Sequence, residues 1–461
     1  MTRADRSRLP AVGPDPAFTF PVVARHTLSN GMSVRTVEHH SVPVITFVLQ
    51  VEGGAGADPP GMEGLAAVTA DMVDEGTGTL GAIDVSERLA RIGAEYDVEV
   101  GADATVFTLT TLSRFSSRGA SLLAGMVTAP SLRDADFDRV RQLRLDRLRQ
   151  LKDLPPAVAE RAFLRLLYGP QPYGHLSIGN DQALRLLSPA DVAAFHRDAF
   201  CPSRSTLVVA GAMRHEALVA VADAAFGGWD ASNARRPVNV DGRRAADIAP
   251  PPATGGLAIV HRDGAAQSEL RMGHLAAGRN TPDYPALIVM NALLGGQFVS
   301  RVNLKLREEK GYTYGARTGF DWRRGATPFV LQASVHTATT ADAIRESLGE
   351  IEGIRGPRPP TDIELVLAKA SLTRGYPRNF ETAQQVARSV AQLALYNLPD
   401  TYFEEFVPRT NAVTAADVVR VADRHLDPAR LTTVIVGDHA AIGGSLESLG
   451  KGVTRVLPND I

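Results

Sequence analysis

The 461-residue chain lacks a second cysteine, a net charge of any consequence and a long apolar run. Cys201, followed directly by Pro202, has no partner for an intrachain disulfide, so nothing demands an oxidising compartment. A lone cysteine of this kind is expected as a small buried hydrophobe rather than a nucleophile. Lysine and arginine (49) nearly balance aspartate and glutamate (51), and the formal charge of −2 offers no field for nucleic acid or anionic lipid. No apolar run approaches the roughly 20 residues that span a bilayer. The basic N-terminus MTRADRSRLPAVGPDPAF has no apolar core of the kind a secretory signal needs. The expectation is a cytoplasmic, soluble protein with neither membrane nor nucleic acid as partner.

What is present is a globular composition, 44% hydrophobic and 22% charged. The length suggests two to four units at roughly 150 residues each. The chain is written twice. Ser188–Gly211 (SPADVAAFHRDAFCPSRSTLVVAG) aligns without a gap to Thr414–Gly437 (TAADVVRVADRHLDPARLTTVIVG), an offset of 226 positions. Each copy reads as a Ser or Thr N-cap, an aspartate in the first turn, a helix, a proline break and a β-branched strand ending in glycine. Upstream, the strand VITFVLQV and the helix Leu65–Asp74 match SELRMGHL and the helix Pro285–Leu294. The helix Val85–Ile92 and the hairpin after it match Arg301–Glu308 and the segment YTYGARTGF onward.

Gly227–Gly256 lies between the copies, rich in proline, glycine and charge and without periodicity, as a linker would be. The organisation expected is a flexible arm over 1–18, a first domain over 19–228, a linker over 229–256 and a second domain over 257–461. Each domain is α+β, with helices on an antiparallel or mixed sheet. Two such tandem domains can face each other as a clamshell around a chamber.

The segment LGGQFVSRVNLKLREEKGYTYG (Leu294–Gly315) resembles the C-terminal half of the M16 metallopeptidases, the family of pitrilysin, insulinase and mitochondrial processing peptidase. The family pattern Leu-Arg-Glu-x-x-Gly-Tyr-x-Tyr-Gly is kept as Leu306, Arg307, Glu308, Gly311, Tyr312, Tyr314 and Gly315. Two further stretches fit: LYGPQPYGHLSIG (167–179), and the opening strand-turn-strand LSNGMSVRTVEH with Asn30-Gly31 at the turn. The resemblance implies the tandem LuxS/MPP-like fold. It also implies that Arg307 and Tyr314, seven positions apart, hold a substrate backbone beside a zinc ion.

Active members carry His-x-x-Glu-His on the helix after the first Gly-rich loop. Histidines at i and i+4 share one helical face and one zinc, and the glutamate reaches a metal-bound water. Anchored on Gly76-Thr77, those positions are Ala67, Ala70 and Asp71 here, and the later glutamate ligand falls at about Asp146 or Arg147. None of the eleven histidines forms an i, i+4 pair. The motif is degenerate, no metal or other cofactor is expected on this chain, and the cluster Asp71, Asp74, Glu75 reads as solvated helix-end charge.

Taken alone, Arg307 is a cation favouring a helix C-terminus and Tyr314 a half-buried strand tyrosine. The retained pattern beside a stripped zinc motif favours a functional reading. Some M16 enzymes divide the two sites between subunits, and this chain is similar to the subunit without the metal. The expectation is a heterodimer with a zinc-bearing M16 paralogue, acting on a peptide or small unfolded polypeptide. Two alternatives stay open: a scaffold paralogue with no part in proteolysis, and an autonomous enzyme whose site lies elsewhere.

Overall fold

The computed structural model describes residues 18–231, 245–249, 251, 255–450 and 452–456. The expected flexible arm, apart from its last residue, and the middle of the expected linker lie outside the described residues. Two six-stranded sheets form the frame. The first runs, in spatial order, Val23–Thr27, Ser33–Glu38, Ser205–Gly211, Val44–Glu52, Ala104–Leu112 and Glu95–Val100. The second runs Val453–Arg455, Gly256–His261, Thr432–Gly437, Gln267–Ala276, Thr327–His336 and Ala316–Phe320. Five strands correspond. The outermost differs: the first domain draws it from its own N-terminal side, antiparallel, and the second from the chain's C-terminal end, parallel.

The repeat read from sequence is a repeat in space. Ser188 and Asp191 cap the helix Pro189–Ala199 reciprocally, with Asp191 Oδ2 accepting from the Ser188 amide (2.9 Å) and hydroxyl (2.6 Å). Thr414 and Asp417 do the same for Ala415–His425 at 3.0 and 2.6 Å. A capping box satisfies amides that the helix cannot. The strand after each helix then enters the middle of its sheet. Register carries the match across every shared ladder. Val209, Phe47, Leu109 and Tyr96 lie opposite one another in turn, as do Ile435, Leu270, Ala333 and Ala316.

One face of each sheet packs under helices of its own domain, with Phe47, Leu49, Phe107 and Leu109 in the first core and Leu270, Met272, Leu331 and Val335 in the second. The other face is covered by the opposite half. Helix Ala383–Leu395, from the second half, lays Val386, Ala387 and Val390 on Val37, Val48, Val208 and Ala210 of the first sheet. Helix Pro155–Tyr168, from the first half, lays Ala159, Ala162 and Phe163 on Ala258, Val260, Val434 and Val436 of the second. Polar contacts follow the exchange: Tyr168 Oη donates to Ala326 O, and Arg324 bonds Glu52 at 2.7 Å. The two tandem α+β domains are thus joined by traded helices as well as by the tether.

Cys201 is buried, as its type suggests. The stretch Tyr284–Glu309 is long and apolar enough for a membrane span, yet it breaks at 297–300 and supplies Leu287, Met290, Leu294 and Leu306 to the second core.

Candidate functional site

Helix Leu65–Asp71 carries the degenerate motif positions. Buried Asp58 fixes its start, accepting from the Gly64 and Ala66 amides at 2.7 Å each and bonding His175 Nε2 at 2.9 Å. Ala67 and Ala70 are fully buried, so their methyl groups fill packed space. Asp71, at the helix end, pairs through Oδ2 with Arg144 Nε at 2.7 Å. Arg144 is the residue of helix Asp134–Lys152 that faces the motif. The two positions expected there point elsewhere, Asp146 toward Gln142 and Arg149 and Arg147 toward Gln150. Two methyl groups and a carboxylate already neutralised by a guanidinium do not fit zinc, which needs three or four nitrogen, sulfur or oxygen donors.

The acidic residues beyond the motif are not equivalent solvated charges. Glu75 pairs with Arg139. Burial of Asp74, followed by the charge of Glu75, outweighs the hydrogen bond from its own backbone and pushes its carboxyl up to about 6. Asp74 lines a cleft with Tyr96, whose hydroxyl is sealed and has no partner among the described residues.

The second domain arranges its site differently. Arg301 starts the helix that carries Arg307 and is pinned by a two-point pair with Glu364 (2.7 and 2.8 Å) and by the Pro359 carbonyl at 3.0 Å. The Arg301 hydrogen bonds hold the Glu364 carboxyl down at about 2. The following turns, Leu304–Glu309, are π-helical, as is Ala292–Gly296 upstream; such wide turns often mark functional segments. Gly295 is needed for packing, because a Cβ there would stand 2.5 Å from Thr318 Oγ1. Gly311, at φ +67°, stops the helix.

Asn303 joins the pieces. Its Nδ2 donates to Phe298 O (2.7 Å) and its Oδ1 accepts from Ala316 N (3.0 Å), tying the 298 loop, the helix and the edge strand into one unit. Arg307 rests over the Phe298 ring, Cζ 4.4 Å from the centroid. Among the described residues its one ion pair is with its neighbour Glu308 at 3.4 Å, and it makes no side-chain hydrogen bond. Tyr314 is not a half-buried strand residue. It lies in the loop before Ala316 and is 89% exposed. Buried Thr313 holds that loop, its Oγ1 accepting from the Gly315 amide at 3.1 Å and lying 2.7 Å from Ser334 O.

Arg307 and Tyr314 therefore each keep side-chain donors that make no hydrogen bond among the described residues, and Val299 and Leu304, near them in sequence, are exposed. Neither lines the cleft of about 310 Å³ at the seam between the domains, whose walls include Gln50, Glu99, Asp103, Trp322 and Arg388. Spacing along the chain did not reveal one further group, His261, Asp263 and Asp438, whose potential ligand atoms lie together. Two of the three already serve the backbone: Asp438 caps the helix His439–Glu447, and His261 Nδ1 accepts from the His439 amide.

Comparison with known proteins covers most of the chain. Residues 33–179 match the family model described as insulinase (peptidase family M16), and residues 187–372 match that of the peptidase M16 inactive domain. A protein of Mycobacterium tuberculosis named as an uncharacterized zinc protease is 25% identical over 423 residues, 90% of this chain and 93% of its own. The mitochondrial-processing peptidase subunit beta of Lentinula edodes is 22% identical over 270 residues, 58% of this chain and 57% of its own. Among solved structures, a peptidase M16 inactive domain from Pseudomonas fluorescens superposes with a TM-score of 0.81 at 24% identity, over 90% of this chain and 98% of that one. A protease from Helicobacter pylori gives 0.80 at 20% identity, over 90% and 99%. At such identities the superpositions speak for the fold.

Proposed function

Because this chain belongs to the M16 peptidase family, we propose that it is the subunit without metal of a two-chain M16 peptidase, whose Arg307 and Tyr314 grip the substrate backbone. The observation that carries the reading is the pair itself: a guanidinium and a phenol held at the surface with their hydrogen-bond donors unspent. The likeness to a mitochondrial-processing peptidase beta subunit supports a paired assembly.

In this scheme a zinc-bearing M16 paralogue of similar size supplies the metal and the activated water. Arg307 donates N–H groups to the scissile carbonyl oxygen, and Tyr314 donates its hydroxyl. Both donors count most when that oxygen gains negative charge, and losing one such donor typically costs roughly 100–1000-fold in rate. The substrate is an extended peptide, since backbone carbonyls are what the pair addresses.

The test is co-purification with a His-x-x-Glu-His paralogue, followed by peptide-cleavage assays of each chain alone and of the mixture. Cleavage should need both chains and should fall in Arg307→Ala and Tyr314→Phe. A mixture that stays fully active with both substitutions would favour the scaffold alternative. The exposed stripe Ile363, Val366 and Leu367 on helix Asp362–Thr373 offers that alternative an association surface.

A further inference from the structure

We propose that Phe298 is the positioning residue for Arg307, a ring platform that holds the guanidinium plane so that its N–H edge faces the substrate carbonyl. The inference rests on the carbonyl-binding role proposed for Arg307. An arginine on an exposed helix end has a long, flexible stem, and one weak contact with the adjacent Glu308 cannot fix the plane of its head group. Stacking on a ring can. It uses the flat π face and leaves all five in-plane donors free for a ligand.

Phe298 is suited to this work and to little else that the structure shows. Its side chain is 61% exposed and belongs to none of the packed cores. A phenyl group left in water gains nothing from burial, yet its backbone is held tightly. The Phe298 carbonyl is bonded by Asn303, and the same Asn303 side chain accepts from Ala316 N, at the strand that leads out of the Tyr314 loop. Platform, arginine helix and tyrosine loop thus share one anchor.

Two buried stacks show what a merely structural arrangement looks like. Arg279 lies 3.5 Å over Tyr284 and bonds Tyr402 Oη; Arg323 lies 5.0 Å over Tyr168 and bonds Tyr173 O and Asp321. Arg323 spends its donors within the fold, and Arg279 spends Nη2 on Tyr402 while its Nη1 is sealed from solvent. Arg307 spends none in a side-chain hydrogen bond among the described residues.

Position matters because an oxyanion donor must sit within about 2.7–3.1 Å of the developing charge. Loss of the platform should cost rate through alignment, with the charge still present. Replacing Phe298 by leucine is expected to lower kcat roughly three- to tenfold, the strength of an exposed or partly desolvated cation–π contact, with KM almost unchanged.

The experiment uses the full chain mixed with a His-x-x-Glu-His paralogue and a fluorogenic peptide. It compares kcat and KM for wild type, Phe298→Leu, Phe298→Tyr, Arg307→Ala and the Phe298→Leu/Arg307→Ala double variant. Phe298→Tyr should restore the rate, and the double variant should match Arg307→Ala. In parallel, the Arg307 Nε–H resonance of the nitrogen-labelled full chain, assigned with Arg307→Lys, should show an upfield ring-current shift that Phe298→Leu removes and Phe298→Tyr keeps. If Arg307→Ala cleaves normally, the carbonyl-binding role itself is wrong, whatever the resonance shows. If Arg307→Ala is impaired and Phe298→Leu is not, the platform is wrong and the carbonyl role stands. Additive losses in the double variant would mean that Phe298 touches substrate directly, which also overturns the platform.

Discussion

The passage from helix to hairpin is built in both domains and finished differently in each. Gly93 and Gly311, at φ +58° and +67°, stop equivalent helices. Four residues before the stop, the first domain has Leu89, part of the core, and the second has Arg307 at the surface. After it, three residues lead from Gly93 to Tyr96, and five lead from Gly311 to Ala316, the residue at the same ladder position. Tyr314 sits in that longer stretch. The first domain's tyrosine is drawn into a strand with its hydroxyl sealed, while the second domain's stands in solvent. Two added residues and one leucine-to-arginine difference separate a packed corner from a surface that offers donors. The motif helix shows the reverse economy: methyl groups and an internal ion pair occupy the three motif positions.

That comparison can be broken in several places. The largest expected effect tests the frame that both domains share. Phe163 is fully buried, on the helix that the first half lends to the second sheet. Phe163→Ala should cost roughly 3–5 kcal/mol, with both domains melting together in calorimetry; a shift confined to one domain would show that the exchange does not couple them. Next, Arg307→Leu gives the second domain the residue type of the first. Cleavage by the two-chain mixture should drop roughly 100–1000-fold with the melting temperature unchanged.

Two smaller effects concern the first domain. Ala67→His restores a motif residue in a space without room, and should destabilise by roughly 1–3 kcal/mol in urea titrations. A neutral result would mean that the site has kept a cavity for a ligand. Asp74 has its carboxyl raised to about 6, so the folded protein holds that proton more tightly than the unfolded chain does. Stability from this group is therefore full below about pH 4, the unfolded range, and lost as pH rises through 6. Asp74→Asn should stabilise at pH 8 by on the order of 1–2 kcal/mol and do nothing at pH 4. An equal gain at both pH values would remove the electrostatic explanation.

Much of this was legible in the chain because it depends on neighbours in sequence. The caps at Ser188 and Thr414, the helices they start and the strands after them were read from spacing alone, and the turn at Asn30-Gly31 joins two paired strands as expected. The helix exchange was not legible. The apolar faces of Pro155–Tyr168 and Ala383–Leu395 announce burial, but periodicity does not say against which sheet. The residue facing Asp71 was missed by two or three positions, since the phase of a helix against its neighbour is set by packing: Phe137, Val140, Leu145 and Leu148 point inward, and Arg144 beside them is carried to Asp71. Tyr314 in isolation looked like a strand residue. Only the ladder, fixed by long-range pairing, shows that the strand begins two residues later.

The most direct measurement is metal content together with hydrolysis for the purified chain by itself, repeated after mixing with its zinc-bearing paralogue. The chain alone should hold far less than one zinc per molecule and cleave no peptide, and the mixture should cleave. A tightly bound zinc at one per chain, with peptide hydrolysis in the absence of any partner, would contradict the division of the site between two subunits.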